Sequence, residues 1–370
     1  MKTEPWYQVD DTAKLISPSL LVYPDRIEQN IRTMINMAGD PLRLHPHIKT
    51  HKCEAIIKLQ QKHGINKFKC ATIAEAELLA QAKAEEILYA MQPVGANIKR
   101  FFQLIQRFPS TQFATIVDNR HTLDELATQA KSINQRVSLY LDLNTGMNRT
   151  GCTPDTTAIS LCQQMEIAES IYAAGLHVYD GHIRDHDIDK RRERCDESFG
   201  KVTHLKKSLQ QIGITVQSII AGGSPSFPIH CLRTGINVSP GTTLLWDARY
   251  EELFPDMRFV HAAVLFTRVV SKPSANILCL DMGHKSIASE MNFPRLKIFE
   301  LEGSEQIGQS EEHLVVRTSK AHNIPIGTGF YAIPYHICPT VAKYEELQVV
   351  EGGAITQTWK VGARNQRITI

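Results

Sequence analysis

Lys49 stands in Pro46-His47-Ile48-Lys49-Thr50-His51-Lys52, directly after a short apolar run. An amine placed there can hold an aldehyde as an imine. Gly222-Gly223-Ser224 and Gly241-Thr242 close two later runs. Glycines let backbone N–H groups converge on an anion, and the Ser224 and Thr242 hydroxyls add donors. Arg149, in Thr145-Gly146-Met147-Asn148-Arg149-Thr150-Gly151, carries a fork of donors suited to a phenolate or carboxylate. Tyr179, in Tyr179-Asp180-Gly181-His182, can turn a phenol toward a ring nitrogen, although a tyrosine ending a strand is also an ordinary core residue. In Pro334-Tyr335-His336-Ile337-Cys338-Pro339-Thr340, read as extended, His336 and Cys338 fall on one face and can reach one metal ion. Imidazole with thiolate favours zinc or another divalent transition metal over magnesium or calcium.

These residues need a frame. From about 42 to 240, short apolar runs alternate with segments of helical period, which predicts parallel βα units. Eight strands are expected: Leu42–Lys49, Lys67–Thr72, Ile87–Met91, Gln112–Val117, Val137–Leu143, Ala173–Tyr179, Val216–Ala221 and Thr234–Pro240. Between them the pattern predicts helices over 73–84, 122–132, 154–166 and 187–212, with Asn119 and Thr153-Pro154 among the start signals. Eight such units make a TIM (β/α)8 barrel, and the candidates fall after its strands, at the end where such barrels work. From about 259 the pattern turns to strands broken by Gly, Pro and Asn, which predicts a mostly β C-terminal domain. The barrel is expected over 18–255, and residues 1–17 and 256–370 are expected to form the β domain carrying the metal pair.

In TIM barrels the loops after strands seven and eight commonly hold a phosphate, so the two glycine segments reinforce each other there. A phosphate cradle facing a strand-end lysine suits pyridoxal phosphate, whose ring is an electron sink. The 370 residues, 42% hydrophobic and 22% charged, can bury a large core, which excludes a disordered or fibrous chain. With 41 basic against 39 acidic residues and no long single-sign run, neither a nucleic-acid stripe nor a polybasic membrane patch is expected. The acidic N-terminus, the lack of a bilayer-length apolar run and eight cysteines without a CxxC pair fit a cytoplasmic protein with reduced thiols.

Together the motifs PHIKTHK, TGMNRTG, YDGH, GGSPS, SPGT, EEH and PxHxCPT resemble the fold-type III pyridoxal-phosphate family of D-threonine aldolases and D-serine dehydratases, over nearly the whole chain. The resemblance implies an alanine-racemase-like barrel plus β domain, a homodimer, and a metal beside the cofactor. By matching motif it implies Lys49 as the imine-forming lysine, Arg149 near the cofactor's phenolic oxygen and Tyr179 as partner of the pyridine nitrogen. It likewise implies Gly222, Gly223, Ser224, Gly241 and Thr242 as the phosphate cradle, and His336 with Cys338 as the metal pair. Where the family usually has arginine before the Pro-His pair, this chain has His45. The His-x-Cys pair resembles dehydratase members, whereas aldolase members carry His-x-Asp. The expected activity is therefore elimination of water from a D-3-hydroxy amino acid such as D-serine or D-threonine. Aldol cleavage, racemisation and non-catalytic cofactor binding are the alternatives. For an acidic substrate side chain, His45, Arg184 or Lys285 could supply the extra cation.

Overall fold

The computed structural model describes residues 5–370, which divide into two compact units. One takes residues 33–49, 57–241 and 365–370, and the other takes residues 5–32, 50–56 and 242–364.

The larger unit is built on seven parallel strands in consecutive order: Lys67–Cys70, Glu86–Tyr89, Gln112–Val117, Val137–Leu143, Ile171–Val178, Ile219–Ala221 and Asn237–Val238. The segment expected as the first strand closes the ring without forming a run of its own. Leu44 bridges Val238 on one edge and His47 bridges Lys69 on the other. Pro46 between them has no N–H to give to a ladder, and 3-10 turns at Pro41–Arg43 and Ile48–Thr50 bound the segment. The eighth strand shrinks to two residues between Gly235, at φ +71°, and Pro240. Leu88, Ala114, Ile116, Tyr140, Ala174 and Ile220 fill a buried layer between the strands.

Helices lie between the strands as the 3.6-residue pattern requires. Asn119 caps Arg120–Ser132 by accepting from the Thr122 N–H. The next helix, Thr156–Ile167, is capped by Asp155 and not by Thr153, so Pro154 precedes the cap. A carboxylate that reaches the Thr157 N–H competes better than a proline two residues earlier.

The smaller unit is a nine-stranded, mainly antiparallel sheet. Its long strand Ala263–Ser274 pairs with Ser19–Val22, Ile277–Leu280 and Gly329–Pro334. Ser19–Val22 also runs parallel to Glu346–Glu351. The N-terminal arm thus joins the β unit, with Tyr7, Val9 and Leu15 packed in a core with Phe266, Tyr331 and Ile333. Ser19–Val22 is hydrogen-bonded into this sheet, and the chain passes between the two units after 32, 49, 56, 241 and 364.

Candidate active site

The strands Val137–Leu143 and Ile171–Val178 determine what faces the barrel's C-terminal end. Their register slips by one residue between Leu139 and Tyr140, so Tyr140 pairs with Gly175 and Asp142 comes opposite His177. Gly175 sits at φ +146°, and a Cβ there would lie 1.9 Å from the Ser218 carbonyl oxygen, so only glycine fits the bulge. The slip puts His177 Nδ1 2.7 Å from Asp142 Oδ1, with both side chains buried. The carboxylate accepts the Nδ1–H hydrogen bond, which leaves the lone pair on Nε2, an atom with no hydrogen-bond partner among the described residues. Burial depresses the His177 pKa against the opposing pull of Asp142, while the charge and hydrogen bond of His177 hold Asp142 low in spite of its own burial.

Two residues beyond His177, the Tyr179 ring collects three cations. The Arg149 guanidinium carbon lies 4.7 Å from the ring centroid, Lys69 Nζ 5.6 Å and Lys49 Nζ 5.8 Å. Lys49 sits in the turn Ile48–Thr50, where its N–H donates to His47 Nδ1 at 3.3 Å. Arg149 is on a loop tied by Asn144, whose Oδ1 accepts from the N–H groups of Gly146 and Asn148. None of the three cations forms an ion pair with a described carboxylate. The expected lysine, arginine and tyrosine therefore meet, together with a second lysine that the sequence reading did not single out. The signal was available: Lys67-Phe68-Lys69-Cys70 alternates along a barrel strand, which turns Lys69 to the same side as Lys67.

The glycine segments form the neighbouring wall. A Cβ on Gly223 would come 2.9 Å from the Tyr179 ring, so the loop and the phenol fit only without a side chain. Ser224 Oγ accepts from the Gly241 N–H at 3.1 Å, which joins the two loops. The Gly223 N–H donates to Ser226 Oγ at 3.2 Å. Ser226 in turn donates to Asp180 Oδ1 at 2.6 Å, and Asp180 Oδ2 is 2.7 Å from His230 Nε2. Arg233 Nε donates to His230 Nδ1, so the imidazole proton sits on Nε2 and points at the carboxylate. His230 and Ser226 hold Asp180 ionised at low pKa although burial alone would raise it. With Cys195 Sγ, Asp180 and His230 are the one cluster of three metal-type ligands among the described residues. Their atoms are bonded to each other and support the loop.

In the β unit the expected metal pair converges, by a route the sequence did not indicate. His336-Ile337-Cys338 is not extended; His336 precedes the short helix Ile337–Val341 and Cys338 lies in its first turn. The helix is seeded by Asp247, whose Oδ2 accepts from the Ile337 N–H at 3.1 Å. His336 and Cys338 are in side-chain hydrogen-bond contact, and Glu290 holds His336 Nδ1. Burial lowers the imidazole pKa, but the Cys338 and Glu290 contacts overcome it and carry it up to about 9. Cys338 Sγ is 3.1 Å from Thr50 Oγ1 and 3.6 Å from Thr242 Oγ1, so the expected cradle residue Thr242 also touches the thiol. Of the cations considered for an acidic substrate, His45 is taken by Glu86 at 3.1 Å and Lys285 by Glu311 and Glu312 at 3.0 Å. Arg184 donates to the Gly181 carbonyl at 2.7 Å, one turn from Tyr179.

A parallel barrel with an unneutralised cluster of two lysines and an arginine, walled by glycine turns, fits an anionic aldehyde cofactor and defines a class. Residues 22–246 match the alanine racemase N-terminal domain and residues 262–350 a putative serine dehydratase domain. The chain belongs to the alanine racemase N-terminal domain family, within the fold-type III pyridoxal-phosphate enzymes. It is similar to D-threonine aldolase of Arthrobacter sp, at 26% identity over 96% of this chain and 94% of that one. D-threo-3-hydroxyaspartate dehydratase of Delftia sp. (strain HT23) is 21% identical over 95% and 98%. The solved D-threonine aldolase of Filomicrobium marinum superimposes with a TM-score of 0.88 at 27% identity, covering 95% and 96%. The relatives are lyases, and the chain is an enzyme of that kind. No helix among the described residues is long and apolar enough to cross a membrane.

Proposed function

We propose that this chain is a pyridoxal-phosphate- and metal-dependent dehydratase of D-3-hydroxy amino acids, converting D-serine or D-threonine to a 2-oxo acid and ammonia. The observation that carries the reading is the contact between His336 and Cys338, because a cysteine sulfur beside an imidazole resembles the dehydratase pair and not the His-x-Asp of aldolases. Bound pyridoxal phosphate supplies an electron sink for the Cα carbanion. Lys49 would hold the aldehyde, and its amine is the base that would take the Cα proton. Arg149 and Tyr179 orient the ring, and Gly222, Gly223, Ser224, Gly241 and Thr242 receive the phosphate. His336 and Cys338 hold zinc or a similar ion, which would supply Lewis acidity to the departing hydroxyl. Within the β unit, Thr50 and Thr242 both bond the thiol. A homodimer belongs to the same reading.

Aldol cleavage is the second reading, favoured by the 26% and 27% identity to two D-threonine aldolases. Both activities accept D-threonine, so the products separate them. The protein loaded with pyridoxal phosphate and zinc should give 2-oxobutanoate and ammonia; glycine and acetaldehyde would replace this reading with the aldolase. Cys338→Ala should lower the metal-dependent rate by ~100-fold or more while cofactor absorbance persists. Full activity in that variant without added metal would remove the metal from the reaction.

A further inference from the structure

Lys69 has no task in the function proposed above. Its side chain is 3% exposed, it forms no ion pair among the described residues, and its Nζ stands as close to the Tyr179 ring as that of Lys49. A buried, unpaired ammonium is costly, and a chain normally avoids it by pairing the charge or losing the proton. The backbone places this amine beside Lys49. Lys69 bridges His47 across the barrel seam, its N–H donates to the Pro46 carbonyl at 3.0 Å, and Lys49 follows two residues after His47.

The groups that act on Lys69 come from four parts of the barrel: Lys49 from the seam, Asp142 from the strand Val137–Leu143, Arg149 from the loop after it, and Asp180 from just past the strand Ile171–Val178. Burial, then the positive charge of Lys49, bring its pKa down to about 7, against the pull of Asp142 and Asp180. A fair share of the amine is thus neutral and nucleophilic at ordinary pH.

We infer that Lys69 is a second carbonyl-reactive amine of the cofactor pocket, able to take the cofactor's aldehyde in place of Lys49. The inference rests on the proposed pyridoxal-phosphate site. Chemically, Nζ attacks the aldehyde carbon, a C=N bond forms, and the carbonyl oxygen leaves as water with the two amine protons; nothing is oxidised or reduced. Lys52 is the other lysine of the PHIKTHK segment, and its backbone sits at φ +51°.

The test is borohydride reduction of the full-length protein loaded with pyridoxal phosphate, followed by peptide mass mapping. Wild-type protein should carry the reduced cofactor on Lys49; no label there would overturn the proposed cofactor site itself. In Lys49→Ala the label should move to Lys69 in most of the protein, and Lys49→Ala/Lys69→Met should lose it. Label on Lys52 or another lysine, or cofactor bound without any covalent label, would overturn the inference while leaving the wild-type result intact. If Lys49→Ala fails to fold, Lys49→Gln, which keeps the side-chain bulk, gives the same readout.

Discussion

Two polar sites lie at the same end of the barrel and are built on opposite terms, one around the buried Asp180 and one around the half-buried Tyr179, where Lys69 is buried, Lys49 half-buried and Arg149 exposed. Around Asp180 every strong group is answered: Ser226 and His230 take its two oxygens, Arg233 completes the imidazole and Gly223 completes the hydroxyl. Around Tyr179 less is answered, since Lys49, Lys69 and Arg149 converge without a direct ion pair, Asp142 and Asp180 acting on Lys69 only through space, and His177 keeps an unpartnered Nε2. The paired site stabilises the loop that carries Gly222 and Gly223. The unpaired one gives up stability and keeps charge available for a ligand. Buried charge alone does not mark an active site; the missing partner does.

The largest test of this contrast removes the centre of the paired site. Asp180→Ala leaves His230 and Ser226 buried without their acceptor and should cost about 3–5 kcal/mol in urea unfolding. A loss below ~1 kcal/mol would mean that the network is not structural. Lys69→Met should act in the reverse direction, raising stability at pH 7 by ~1–3 kcal/mol. The sign follows from the lowered proton affinity. The unfolded lysine binds its proton below its ordinary pKa of 10.5, while the folded one stays neutral down to about 7, so wild-type protein loses stability as pH falls between those values. The gain in the Met variant should therefore be full at pH 7 and fade toward pH 10.5. A pH-independent difference would show that packing, not charge, is responsible. Ser226→Ala should give the smallest change, ~1 kcal/mol, because it removes one hydrogen-bonded hydroxyl and leaves the Asp180–His230 pair in place. Thermal melts at pH 7 would read it, and a cost equal to that of Asp180→Ala would make Ser226 the centre of the network.

Much of this site was readable from the chain. Strand-end placement follows from period-2 and period-3.6 patterns, so Lys49, Arg149, Tyr179 and the glycine loops could be located before any coordinates. Ser226, His230 and Asp142 were not singled out because a serine, a histidine and an aspartate in separate segments carry no local signal of pairing. Lys69 did carry one, an inward lysine in a buried strand, and was passed over.

By itself the sequence determined the alternation of strands and helices, the β character of the C-terminal part and the residue types at the strand ends, because these depend on side-chain period and turn chemistry within a few residues. Only the tertiary structure decided the one-residue slip that sets Asp142 against His177, the Asp247-seeded helix turn that brings His336 to Cys338, and the meeting of three cations on one phenol. Each depends on groups far apart in the chain, whose meeting is set by register and packing and leaves no pattern in the sequence around either one.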